Sequence, residues 1–107
     1  MIVRIWRGWT APNDADAYQR LLNGEIVPGF LARSVEGLLG ADVLRRDAGG
    51  EVEFTVVMSF ADWAAVEEFA GDRTSSVVPA EARRLLARYE PEAVHHDLVA
   101  QHRPAGP

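Results

Sequence analysis

The segment Glu51-Val52-Glu53-Phe54-Thr55-Val56-Val57-Met58-Ser59-Phe60 constrains this chain more than any other, because its apolar residues recur at every second position. That period belongs to a strand with one covered face, and it gathers Val52, Phe54, Val56, Met58 and Phe60 on the covered side. Asp47-Ala48-Gly49-Gly50 ahead of it is a turn sequence, and Leu38 to Arg46 has the apolar and branched content of a second strand, so the two form a β-hairpin. A two-stranded hairpin is not stable alone in water. The rest of the 107 residues, enough for one core and too few for two, must cover it.

The remaining elements follow from spacing. Ile2 to Trp9 is β-branched and aromatic and reads as a first strand. After the capping run Thr10-Ala11-Pro12-Asn13-Asp14, the residues Ala15, Tyr18, Leu22 and Ile26 recur at spacings of three and four, which makes a helix that Pro28-Gly29 ends or kinks. Asp62 caps a helix running to about Phe69 or Ala70, and Gly71 stops it. Val78-Pro79 opens another helix expected to bury Ala82, Leu85, Leu86 and Tyr89 before Pro91, and Ala93 to Val99 is the last strand. The fold class expected is therefore α+β, a ferredoxin-like βαββαβ domain over residues 1–100 with an antiparallel four-stranded sheet, followed by a tail of residues 101–107. Helices cover one sheet face, and the other is expected to be buried against a second copy, giving a homodimer.

Alternation sorts the candidate functional residues. With Val3 and Ile5 assigned to the helix side, Arg4 and Trp6 fall on the uncovered face; with Val94 and Leu98 assigned inward, His95 and Asp97 point outward and join Thr55 and Ser59. Imidazole, carboxylate, guanidinium and indole then converge as in a ligand cavity. His95 is the candidate general base, oriented by Asp97 and raised in pKa by it; Arg4 holds an anionic oxygen, Trp6 stacks on a ring, and Thr55 and Ser59 line the site. Tyr18 and Tyr89 read as core residues with hydrogen-bonded hydroxyls. His95 and His96 point to opposite faces, so no metal site is expected.

Composition narrows the chemistry. Cysteine is absent and all 11 basic residues are arginine, which removes thiolate nucleophiles, cysteine-held metals, Schiff-base lysines and the phosphate-binding lysine loop. A net charge of -5 argues against nucleic acid, whose recognition needs a basic stripe. No apolar run is long enough to span a membrane, and strand residues follow Met1 directly, so the cytoplasm is the expected location.

The runs Ile2-Val3-Arg4-Ile5-Trp6-Arg7-Gly8, Val43-Leu44-Arg45-Arg46-Asp47, Glu53-Phe54, Ala64-Ala65-Val66 with Phe69-Ala70-Gly71, Pro79-Ala80-Glu81 and His95-His96-Asp97-Leu98 together resemble the antibiotic biosynthesis monooxygenase domain family of dimeric α/β-barrel proteins. The resemblance implies a homodimer, with a cavity inside the barrel or between each sheet and its helices. It also implies that haem is not the cofactor, since the position of the haem-binding histidine in haem-degrading relatives falls near Ser76, Val77 and Val78, and that of their tryptophan at Phe69. Three functions fit: oxidation of a small aromatic or polyketide-like molecule without any cofactor, ligand binding without catalysis, and polyketide cyclisation or isomerisation by the same acid–base residues.

Overall fold

The computed structural model describes residues 1–106. Strand β1 (Ile2–Thr10) leads through a short 3-10 turn into a helical arm made of α1 (Ala15–Leu21), a π-helical turn (Leu22–Ile26) and α2 (Val27–Ala32). The hairpin β2 (Leu38–Asp47) and β3 (Val52–Phe60) follows, then α3 (Trp63–Ala70), a segment without regular structure, α4 (Ala80–Leu85), β4 (Arg88–Tyr89) and β5 (Val94–Asp97). The sheet runs β2-β3-β1, with β4 and β5 sharing the free edge of β1, and every pairing is antiparallel. That order, with helices on one face, is the ferredoxin-like α+β arrangement.

Three local departures have physical causes. The first helix passes through Pro28 instead of ending there, because the chain widens just before it: the Val27 N–H reaches back five residues to the Leu22 carbonyl, which makes room for a ring that has no N–H to offer Gly24. The helix expected to bury Tyr89 stops at Leu85, since Leu86 turns to extended backbone at φ -81° and ψ 128°, and Tyr89 instead pairs with Gly8 in β4. The last strand is consequently split in two around Glu90–Ala93, and the sheet has five strands where four were expected. Of the expected 101–107 tail, residues 101–106 carry no regular structure, and Pro107 lies outside the described residues.

Other boundaries follow their sequence signals. Asp62 Oδ1 accepts from the Ala65 N–H at 2.9 Å to cap α3, and Gly71 closes that helix in the left-handed region at φ 85°. Gly37, at φ 88°, sits where a Cβ would come within 2.9 Å of the Ala65 Cβ, so the loop entering β2 lies directly against α3. The core fills the space between sheet and helices, with Tyr18, Leu22, Phe54, Phe60, Val66 and Phe69 all nearly sealed from solvent. Tyr18 meets Phe54 edge-on with ring centroids 5.0 Å apart.

The register of β1 corrects the sorting of its two faces. Arg4 lies opposite Met58 and Trp6 opposite Val56, and residues paired across a ladder share a face, so both side chains sit under the helices. Val3 and Ile5 are on the open face with Ser59 and Val57. His95 pairs with Arg4 and Asp97 with Ile2, which brings them to the helix side also, while Val94 takes the open face and is 50% exposed. β1 is apolar on both faces, so assigning its one early charge to solvent inverted the whole strand.

Candidate functional site

A slot opens between sheet and helices. Its floor is Arg4 and Trp6 from β1 with Val56 and Met58 from β3. Its roof is Tyr18, Leu22, Ile26 and Phe30, and Phe69 closes one side. In an uninterrupted α-helix each four-residue step drifts about 40° round the axis. The π turn rotates less per residue and cancels part of that drift, which keeps the four roof residues in one file. The remaining wall is Val77, Val78 and Pro79 from the irregular segment before α4, joined by Ala82. The slot is partly open to solvent, and its volume is about 30 Å³, room for roughly two waters.

Arg4 is the polar centre of this slot. It is 3% exposed, and its guanidinium donates to the Ser75 carbonyl at 2.8 Å and lies 5.3 Å from the centroid of the Phe69 ring. Among the described residues no carboxylate touches it; Asp72, held by the Ser75 hydroxyl and the Thr74 and Ser75 N–H groups, acts only from a distance. Burial lowers the Arg4 pKa to about 10, against the weaker opposing pull of Asp72, so the group stays cationic at neutral pH. A buried cation with neutral partners is poised for an anion.

The second guanidinium contact is His95, with Nη1 to Nε2 at 3.3 Å. Arginine has donors only, so Nε2 accepts, the ring proton is on Nδ1, and the imidazole is neutral. Burial, then Arg4, then His96 lower the His95 pKa from its ordinary 6.5. The unfolded chain takes up this proton near 6.5 and the folded chain resists it until lower pH. This contribution is therefore complete above 6.5 and is eroded as pH falls toward the folded value. An NMR titration is expected to place the His95 midpoint below 6.5, and a midpoint above it would contradict the contact with Arg4.

The six expected site residues thus divide. Arg4, Trp6, His95 and Asp97 share the helix side, but Asp97 is exposed and makes no hydrogen bond to His95, so it neither orients the imidazole nor raises its pKa. Trp63, with its ring 5.3 Å from the imidazole, is the neighbour that packs against His95. Thr55 and Ser59 lie on the open face opposite Arg7 and Val3, away from the slot. Trp6 presents its ring to the slot, while its indole N–H is held by the Glu90 carbonyl at 2.9 Å. Sequence reasoning missed Tyr18, Phe30 and Phe69 as slot residues, although the stripe Tyr18, Leu22, Ile26 was visible as a buried helix face. Val77, Val78 and Pro79 offer no nitrogen or sulfur ligand, and the His95 lone pair is engaged by Arg4, so these residues do not fit a haem.

Solved structures of similar shape cover nearly the whole chain. Rv0793 from Mycobacterium tuberculosis aligns at TM-score 0.63 and 19% identity over 94% of this chain and 96% of its own. PA3566 from Pseudomonas aeruginosa aligns at 0.59 and 20% identity over 92% and 94%. An antibiotic biosynthesis monooxygenase aligns at 0.59 and 18% identity over 94% of this chain and all of its own. The fold is that of the antibiotic biosynthesis monooxygenase. No protein-family model matches the sequence, and no curated protein does. Within this fold, the slot under the helices brings the Arg4 cation against aromatic walls, and the His95 imidazole meets that cation from outside the lining. Among the described residues no helix is long and apolar enough to cross a membrane.

Proposed function

We propose that the slot binds a small, acidic aromatic or polyketide-like molecule and that the protein oxidises it with dioxygen, using no cofactor. One observation carries this reading: a buried guanidinium that lines an apolar slot and has no carboxylate partner among the described residues shares the lone pair of a neutral histidine. A phenol or enol O–H placed between the two gives its proton to His95 Nε2, and the resulting oxyanion takes the place of the imidazole on Arg4. Trp6 and Phe69 supply ring faces, and the surrounding apolar walls exclude water. The electron-rich anion itself then reduces dioxygen. At an activated ring methylene one oxygen atom becomes the new carbonyl, and the other leaves as water with the two hydrogens.

A ring needs more than about 30 Å³, so binding requires a wall to yield. The Val77–Pro79 stretch is the part of the lining that belongs to neither helix nor strand. A second reading, ligand binding without catalysis, is favoured because no carboxylate among the described residues hydrogen-bonds His95. Oxygen uptake with a panel of anthrones, hydroquinones and quinols separates the two. Turnover that falls at least tenfold in His95→Ala supports oxidation, whereas tight binding with no uptake in either protein supports the binding role.

The same proposal includes a homodimer formed through the open sheet face, where Val3, Ile5 and Val57 are half-buried and Leu44 and Val94 are 54% and 50% exposed. Light scattering is expected to give twice the 11.8 kDa chain mass, and Val57→Arg to give the single-chain mass. A wild-type protein that runs as a monomer would remove the dimer from the proposal.

A further inference from the structure

The slot contains a second polar group that the proposed chemistry leaves idle. Tyr18 is 1% exposed, lines the slot, and its hydroxyl makes no hydrogen bond among the described residues. Burial alone raises its pKa, with no hydrogen-bonding partner contributing, so the phenol remains a neutral donor. Thr10 Oγ1 is the side-chain polar atom both sealed from open space and unpartnered among the described residues. The Tyr18 hydroxyl, equally unpartnered, is not sealed to that degree, and Tyr18 lines the slot. Leaving a buried donor unpaired is unfavourable, and native proteins seldom do so without a functional reason.

Position gives that reason a direction. The Tyr18 ring packs on Phe54, whereas Arg4 sits opposite Met58 on the same strand face, with Trp6 opposite Val56 between them. Four strand residues span about 13 Å, so the Tyr18 ring sits toward the Phe54 end of this strand face and Arg4 toward the Met58 end. The other polar atom nearby, the Trp6 indole nitrogen, is already committed to Glu90.

We infer that Tyr18 is a specificity-determining residue: its hydroxyl donates to a carbonyl-type acceptor on the bound molecule, at the end remote from the group held by Arg4. The ligand class is thereby an anionic aromatic that carries an acceptor oxygen across the ring system, not a purely hydrocarbon one. This rests on the reading that the slot takes an anionic aromatic.

The test uses two planar isosteres, 6-acetyl-2-naphthoate and 6-isopropenyl-2-naphthoate, which share the carboxylate for Arg4 and differ in the acceptor. Affinities for both are measured by calorimetry on the whole protein, on Tyr18→Phe and on Arg4→Met. Wild type is expected to prefer the acetyl compound about tenfold, as for one lost hydrogen bond; Tyr18→Phe is expected to bind both at the level of the isopropenyl compound, and Arg4→Met to weaken both equally. Without ligand, Tyr18→Phe is expected to melt at the wild-type temperature or higher. Equal wild-type affinities, a preference that survives Tyr18→Phe, or a clearly lower melting temperature would overturn the role of Tyr18 while leaving the Arg4 site standing. If neither compound binds wild type, both roles are overturned.

Discussion

Arg4→Met is expected to weaken binding of anionic aromatics roughly 10- to 150-fold, the worth of one charge-assisted hydrogen bond, while the melting temperature holds or rises. The two halves of this result come from the same geometry. Arg4 is nearly sealed from water, and its guanidinium meets the Ser75 carbonyl, the His95 ring and the Phe69 face with no carboxylate contact among the described residues, so the folded protein carries the cost of a desolvated cation without a matching anion. A methionine side chain fills similar space among Met58, Phe69 and Val78 and removes that cost. The lost bond to Ser75 offsets part of the gain. Calorimetric binding and thermal melting on the same samples check both halves. A variant that melts far lower yet binds as before would make Arg4 a structural residue.

Gly8→Ala is expected to lower stability by about 1–3 kcal/mol, or on the order of 5–15 °C in melting temperature for a domain of this size, and to disturb the slot. A Cβ at this position would come within 2.8 Å of the Trp6 Cη2 and 2.9 Å of the Leu86 Cδ2. The indole cannot swing aside freely, since the Glu90 carbonyl holds its N–H and the ring forms part of the slot floor. Tryptophan fluorescence should therefore shift along with the melting temperature. Gly29→Ala is the control: nothing lies within 4 Å of its Cβ position, and an exposed helical site should gain slightly from alanine. Equal melting temperatures for Gly8→Ala and wild type would mean that Trp6 repacks at little cost.

Much of the fold was legible because its signals are local. The period-two run of β3, the Asp47–Gly50 turn and the Asp62 cap each act within a few residues, and each appears where its chemistry calls for it. The face of β1 was not legible, because Ile2, Val3, Ile5, Trp6 and Trp9 are apolar on both sides of the pleat and only the pairing with β3 decides between them. Arg4 then misled by its charge: solubility rules place arginine outside, whereas here it serves the interior. The same inversion carried His95 and Asp97 to the helix side, while Thr55 and Ser59, correctly assigned to the open face, were left without the slot they were expected to line. Tyr89 was lost to a different effect, since Leu86 leaves the helix one turn before the apolar spacing ends. The unpaired state of the Tyr18 hydroxyl depends on what fails to approach it, which no local pattern records.

The π turn at Leu22–Ile26 amounts to a helix carrying one residue more than its hydrogen-bond ladder needs. Gly24 within it faces open space, so the surplus sits where a deletion disturbs no packing. Removing one residue there would leave Tyr18, Leu22, Ile26 and Phe30 at spacings of four, three and four, the apolar row of an ordinary α-helix, but would close the backbone onto the Pro28 ring, while the sheet, Arg4 and His95 stay in place. The extra residue thus accommodates the proline without moving the roof residues off the slot. In a scaffold that diverges by small insertions and deletions, a one-residue change at this turn is therefore compatible with the same apolar roof.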